Sequence, residues 1–132
     1  MTLPELSTLK TGDKREIARA LAAIETSAGS DALAALLDAA CASPRAHVIG
    51  LTGPPGVGKS TLANTLVARA RARGETVGVI AVDPSSRRTG GALLGDRARI
   101  ATDPEDRGVY VRSMAARDRL GGLSDQTVAQ WC

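Results

Sequence analysis

Aromatic side chains are nearly missing from this sequence of 132 residues, which contains no Phe, one Tyr and one Trp. The apolar fraction is nonetheless 43%, so a core built from Ala, Leu, Val and Ile is expected. Because aromatic rings supply much of the area that a core removes from water, we expect a marginally stable protein. Their scarcity also disfavours binding of single-stranded nucleic acid, which relies on stacking of bases on aromatic rings.

A strong excess of one charge is lacking too, since the net charge is only +3, with fourteen arginines and three lysines among the basic residues. A nucleic-acid interface normally needs a basic patch on one face of the protein. A mild excess is more typical of an ordinary solvated surface. We therefore expect no nucleic-acid partner.

Cysteine is scarce, and Cys41 and Cys132 fit no metal-ligand or redox spacing, so free thiols are expected. Long hydrophobic runs are missing as well. No apolar stretch approaches the length of a membrane span, and the N-terminus lacks the apolar segment of a signal peptide. The sequence predicts a cytoplasmic protein that does not engage a membrane.

The apolar pattern that is present divides the chain into a helical N-terminal segment, residues 1–45, and an α/β segment, residues 46–132. The first twelve residues are predicted to be poorly ordered. Asp13 then marks the start of one helix and Ser30 caps a second, because short polar side chains satisfy the free N–H groups of a first helical turn. The segment is therefore predicted to be a helical hairpin.

The α/β segment shows a strand-like apolar run at 47–53, helical spacing over 59–73 and a second apolar run at 76–83. A short helix at 93–100 and a third strand at 109–112 are weaker predictions. Strands that alternate with helices pair in parallel. The predicted architecture is therefore α/β, with a parallel sheet and flanking helices behind the helical hairpin.

Residues 53–60 read GPPGVGKS and match the phosphate-binding pattern G-x-x-x-x-G-K-[ST]. Glycines let the main chain approach a ligand, prolines stiffen the turn, and N–H groups at the start of the next helix face phosphate oxygens. Lys59 would reach the β- and γ-phosphates, and Ser60 would place its hydroxyl on Mg²⁺. A glycine-rich turn without a ligand is the alternative, and the flanking strand and helix argue against it. The predicted nucleotide-binding residues are Gly53, Pro54, Pro55, Gly56, Val57, Gly58, Lys59, Ser60 and Thr61.

Two downstream carboxylates are candidates for the metal site. Asp83 ends an apolar run, and the carboxyl ends of parallel strands line the ligand crevice, although an Asp before Pro84 can simply begin a turn. For Asp96 two roles are equally consistent with the sequence. It could cap a helix, or it could hold the metal or the attacking water. The predicted catalytic residues are Lys59, Asp83 and Asp96, and the predicted Mg²⁺ ligands are Ser60, Asp83 and Asp96.

The stretches GLTGPPGVGKSTL, VGVIAVDPSSRRTGGALLGDRARI and YVRSMAARDRLGGL make the sequence similar to the MeaB/ArgK/MMAA group of P-loop GTPases. The resemblance runs from residue 17 to residue 123. It implies a metallochaperone-like GTPase that uses GTP and Mg²⁺ and serves adenosylcobalamin-dependent methylmalonyl-CoA mutase, loading and protecting its cofactor. Full-length members of the group are expected to be homodimeric.

The sequence departs from this family at Asp118 and Arg119, where Gly and His usually precede LGG. No lysine follows Lys59, so the guanine-reading motif N-K-x-D does not occur after it. We therefore expect an N-terminal portion of the family domain with an incomplete sheet. The expected result is weak nucleotide binding and slow or absent hydrolysis.

Two other functions remain open. An ATP-dependent small-molecule kinase shares the P-loop, and a preference for ATP over GTP would favour it. A non-catalytic fragment that binds a partner through its helical hairpin is the other, and partner binding that survives Lys59→Ala would favour that one.

Overall fold

The computed structural model describes residues 2–26, 29–83, 100 and 103–115. Within these ranges the chain forms two compact units, one made of the residues up to Val48 and one that begins at Ile49. None of the helices in the described ranges combines the length and the apolarity needed to cross a bilayer.

The described residues of the first unit form the helices α1 (Leu6–Leu9), α2 (Lys14–Thr26) and α3 (Asp31–Cys41). The helices α2 and α3 confirm the predicted pair. Helix α1 was not predicted, because four residues are too short to show a helical period. It contacts both α2 and α3, so the expectation of a poorly ordered leader is wrong for this segment.

Both predicted helix starts are capped by the expected side chains. The Oδ1 atom of Asp13 accepts hydrogen bonds from the backbone N–H groups of Arg15, at 2.8 Å, and Glu16, at 3.4 Å. The Oγ atom of Ser30 accepts one from the N–H of Leu33 at 3.3 Å. Each cap satisfies donors that a helix leaves free at its first turn.

Within the described residues, the first unit buries few apolar side chains. Those that are 7% exposed or less are Ala20, Ala23, Ile24 and Leu33. Two of the four are alanines, which remove little area from water. Cys41, at the end of α3, is disulfide-bonded, so the expectation of a free thiol is wrong there; Cys132 lies outside the described residues.

The second unit contains α4 (Lys59–Ala72), β1 (Val77–Asp83) and β2 (Val109–Ala115). The two strands pair in parallel, from Val77 opposite Val109 to Asp83 opposite Ala115. Helix α4 contacts β1. The second unit thus has the predicted α/β architecture, and in its described residues the parallel sheet has two strands and is not closed.

The predicted strand at 47–53 is wrong in the described structure, where these residues form neither helix nor strand. Its apolar side chains face water, with Val48 57%, Ile49 66% and Leu51 39% exposed. A strand requires a neighbour for its backbone N–H and C=O groups, and within the described residues the sheet consists of β1 and β2. The predicted strand at 109–112 is confirmed and extends to residue 115. The predicted helix at 93–100 falls on residues outside the described ranges, except for residue 100.

Candidate nucleotide-binding site

The loop that precedes α4 contains two glycines in the left-handed backbone region, Gly56 at φ 80° and Gly58 at φ 95°. A side chain in this region costs about 1–2 kcal/mol. A Cβ atom at either position would meet no other atom within 4 Å. The backbone angle, and not crowding, is therefore what requires glycine at these two positions.

The start of α4 offers main-chain donors to a ligand. Gly58 is its N-cap, and in the described part of the chain no side chain caps the helix and its first turn holds no acidic residue. The first intrahelical bond runs from the N–H of Leu62 to the carbonyl of Gly58 at 2.9 Å. The remaining N–H groups and the positive end of the helix dipole favour an anion at this end.

Lys59 closes the loop on itself. Its Nζ atom donates hydrogen bonds to the carbonyl oxygens of Gly53, at 2.6 Å, and Pro54, at 2.9 Å. Within the described residues it forms none of the salt bridges, so no carboxylate there neutralises its charge. The ammonium therefore lies against the loop as a cation held by neutral carbonyls.

The other predicted binding residues occupy the same continuous segment. Ser60 is half-buried in the first turn of α4, and Thr61 beside it is exposed. The loop residues Pro54, Pro55 and Val57 are exposed. The structure thus presents the whole predicted segment as an accessible loop followed by a helix start.

Asp83 is the last residue of β1 and pairs with Ala115 of β2. Helix α4 leads through a short turn into β1 and contacts it. Asp83 thus occupies the carboxyl end of a parallel strand, which is the position at which open α/β sheets bind their ligands. Asp96 lies outside the described residues.

The donors near the loop suit Mg²⁺. Among the described residues there is no group of three or more His, Cys, Asp or Glu side chains that could hold a metal ion. Mg²⁺ is usually bound by one or two protein oxygens together with substrate phosphates and water, and not by a cage of protein ligands. A serine hydroxyl at the helix start is a suitable oxygen donor for an ion shared with phosphate.

Sequence reasoning missed a charged cluster at the opposite end of α4. Arg71 donates from Nε to Oδ2 and from Nη2 to Oδ1 of Asp106, both at 2.8 Å, and from Nη1 to the carbonyl of Glu75 at 2.6 Å. Asp106 Oδ1 also accepts from the N–H of Gly108 at 2.9 Å. The hydrogen bond from Arg71 to Asp106 raises the pKa of Arg71, burial opposes this, and the negative charge of Asp106 adds to it.

The cluster was not predictable because its charged partners lie 35 positions apart. The segment around Asp106 carries turn residues, which predict a loop and not an ion pair.

The chain matches a known protein family and several known proteins. The family model described as methylmalonyl Co-A mutase-associated GTPase MeaB matches residues 17–131. A protein of Pyrococcus horikoshii that carries the name of a GTPase is 50% identical over 119 residues, which are 90% of this chain and 37% of the relative. A GTPase-named protein of Mycobacterium tuberculosis is 38% identical over 122 residues, 90% of this chain and 36% of the relative. A fused isobutyryl-CoA mutase of Cupriavidus metallidurans is 36% identical over 122 residues, 90% of this chain and 11% of the mutase.

The chain spans 36–37% of the length of these GTPase-named relatives. The family match nevertheless includes the glycine-rich loop at residues 53–60, α4, β1 and β2. It also covers most of α2 and all of α3. The chain therefore belongs to the MeaB family of methylmalonyl-CoA mutase-associated GTPases.

Proposed function

We propose that the chain binds GTP with Mg²⁺ through residues 53–61, as part of a GTPase that acts as a chaperone for an acyl-CoA mutase. The main support for the proposal is the loop that Lys59 closes at the start of α4, where no side chain caps the helix. Free main-chain donors, one ammonium and a helix N-terminus at one place favour a polyphosphate. The GTPase names of the relatives support guanine over adenine.

Lys59 would act by exchanging its acceptors. In the structure its ammonium binds the neutral carbonyls of Gly53 and Pro54. Oxygens of the β- and γ-phosphates carry negative charge, so they attract the ammonium by charge–charge interaction, which neutral carbonyl oxygens do not offer. Nucleotide binding would therefore draw the ammonium away from the loop carbonyls. Charge placed there stabilises the phosphoryl group as its bond to the leaving oxygen breaks.

Ser60, Asp83 and Asp96 are the proposed Mg²⁺ ligands. The bound ion would supply neutralisation of phosphate charge during transfer. The hydroxyl of Ser60 would orient the phosphates relative to α4. For the two aspartates the proposal rests on their positions in the family-like sequence and on the place of Asp83 at the end of β1.

The mutase partner is proposed from the relatives. The family model is described by association with methylmalonyl-CoA mutase, and a stretch similar to this chain lies within a fused isobutyryl-CoA mutase. In that fusion the stretch and the mutase share one polypeptide. We infer that the present chain serves an adenosylcobalamin-dependent methylmalonyl-CoA mutase, with GTP controlling the loading and protection of its cofactor.

Calorimetric titration of GTP with Mg²⁺ into the folded protein tests the nucleotide proposal. Lys59→Ala removes a charge-assisted contact of about 1.5–3 kcal/mol, so the Kd is expected to rise by roughly 10- to 150-fold. Lys10→Ala is the matched control, since Lys10 is exposed and lies in the first unit. No heat from folded wild-type protein would exclude the proposal, and tighter binding of ATP than of GTP would replace it by the kinase hypothesis.

The mutase proposal is tested by sedimentation of the chain with an adenosylcobalamin-dependent methylmalonyl-CoA mutase, with and without GTP. Complex formation that depends on GTP and is lost in Lys59→Ala supports a nucleotide-controlled chaperone. Complex formation that is unchanged by GTP and by Lys59→Ala would instead indicate a non-catalytic binding fragment. A complete lack of association would contradict the partner proposal.

A further inference from the structure

We propose that Arg71, Asp106 and Gly108 form a positioning network that sets the orientation of α4, and through it the orientation of Lys59 and Ser60. The network lies at the end of α4 far from the phosphate loop. The proposal deepens the proposed nucleotide-binding function and rests on it for its functional consequence. Its structural consequence, a firmer start of α4, is independent of any nucleotide.

Apolar packing alone holds α4 weakly. Val67 is the buried residue of the helix, whereas Leu62 and Leu66 are 49% and 37% exposed. A helix that buries one side chain can roll and tilt about that contact at little cost, because dispersion and burial terms grow with the number of contacts. A second, directional restraint is therefore needed to fix its axis.

The hydrogen bonds of Arg71 and Asp106 restrain the direction of the α4 axis. A guanidinium that binds both oxygens of one carboxylate is held in a common plane, which a single hydrogen bond does not achieve. The third nitrogen of Arg71 binds the carbonyl of Glu75. The side chains of Arg71 and Asp106 are 28% and 27% exposed, so they are better shielded from water and salt than an ordinary surface pair.

The network is tied to the sheet on its other side. Asp106 accepts a hydrogen bond from the N–H of Gly108. The carbonyl of Gly108 in turn accepts from the N–H of Val77 at 2.8 Å, beside the first paired residues of β1 and β2. The last turns of α4 are thereby joined to the point at which the two strands begin.

Gly108 leaves room for the guanidinium. A Cβ atom at this position would overlap the guanidinium group of Arg71. Gly108 does not lie in the left-handed backbone region, so alanine is tolerated by the backbone itself. Gly108→Ala is therefore a probe that displaces Arg71 without touching the phosphate loop.

The length of α4 converts a small change at Arg71 into a large one at the loop. Arg71 follows Lys59 by twelve residues (71 − 59), which at about 1.5 Å per residue is about 18 Å. A tilt of about 5° over that length moves the far end by roughly 1.5 Å. Misplacement of about 1 Å at a reacting group can cost on the order of a hundredfold in rate.

The test compares wild type, Arg71→Met, Arg71→Lys, Gly108→Ala and the control Arg69→Met, which removes an exposed arginine of the same helix. The first readout is hydrogen exchange of the Leu62 amide in nucleotide-free protein, because that amide makes the first bond of α4. The second is the Kd for GTP with Mg²⁺. Melting temperatures are recorded alongside, since stability alone cannot separate a positioning role from a structural one.

Arg71→Met is expected to speed Leu62 exchange several-fold and to weaken GTP binding about tenfold, because a tilted α4 misplaces Lys59 and Ser60 relative to the phosphates. Gly108→Ala is expected to act in the same direction and to add nothing in the Arg71→Met background, since it acts through the displaced arginine. Arg71→Lys keeps the positive charge but cannot bind both carboxylate oxygens at once. Its exchange rate and Kd are expected to lie between those of wild type and Arg71→Met. It also provides a test if Arg71→Met fails to fold.

Equal exchange and equal Kd for the Arg71 and Arg69 variants overturn the network, whatever happens to the melting temperature. Effects of Gly108→Ala that persist undiminished without Arg71 also overturn it. If wild type does not bind GTP, the proposed function fails, and the exchange comparison alone then decides the network.

Discussion

Single residues of the glycine-rich loop at 53–60 have separate structural roles. Gly56 and Gly58 allow backbone angles that other residues resist. Lys59 joins the start of the loop to the start of α4 through two carbonyls. The loop is thus held by its own contacts, and a loop that is already ordered loses less conformational freedom when it binds.

Gly58→Ala is expected to destabilise the protein by about 1–2 kcal/mol, because a Cβ is forced into the left-handed region. Gly50→Ala is the matched control, since Gly50 has no neighbour within 4 Å and no left-handed angle. Urea unfolding of the two variants measures the difference in free energy of unfolding. Equal midpoints would show that the loop adopts another backbone path in solution.

The residues of the loop could be predicted from the sequence, whereas the Arg71–Asp106 ion pair could not. The glycines, Lys59 and Ser60 lie within one short stretch whose spacing is itself the signal. The partners of the ion pair belong to different elements, and no local pattern links them. The roles of Asp83 and Asp96 stay predictions, because metal binding depends on side-chain placement that the sequence does not specify.

Among the elements, the helices show how local chemistry determines boundaries. The starts of α2 and α3 follow from capping side chains, and the end of α4 follows from Gly74. Strands depend on neighbours that lie elsewhere in the chain. The apolar runs at 77–83 and 109–115 pair with each other, whereas the similar run at 47–53 has no partner strand in the described residues. An apolar run in the sequence therefore indicates a tendency toward burial. Whether it forms a strand depends on hydrogen bonding to a neighbouring strand.

Ser30→Ala is expected to lower the free energy of unfolding of the first unit by about 1 kcal/mol, through loss of the bond to the Leu33 amide. Ser43→Ala, at an exposed residue beyond α3, is the control and is expected to be neutral. Far-ultraviolet circular dichroism during thermal unfolding compares them. A cap without influence would leave the two melting curves superimposed.

At the scale of the molecule, both units bury few apolar side chains within the part of the chain that the structure describes. In the second unit these are Val67, Val109 and Met114. Large aliphatic groups elsewhere in the described residues face water, among them Ile49 and Leu62. The expectation of marginal stability from the lack of aromatic residues is consistent with such cores, and it stays a prediction until unfolding is measured.

The folded protein is expected to bind a hydrophobic dye such as anilinonaphthalene sulfonate, because exposed aliphatic side chains offer it apolar contact. Ile49→Gln is expected to reduce the dye fluorescence without lowering stability, since Ile49 is 66% exposed. Thr76→Gln, at an exposed polar residue, is the control. Fluorescence no greater than that of dye in buffer would contradict the exposure of this segment.

The water-facing side chains of Val48, Ile49 and Leu51 also determine how the protein responds to its solvent. Sulfate and phosphate are excluded from protein surfaces and so favour any process that hides hydrocarbon from water. Concentrated solutions of these salts are therefore expected to drive the molecules together, whereas dilute chloride keeps them dispersed.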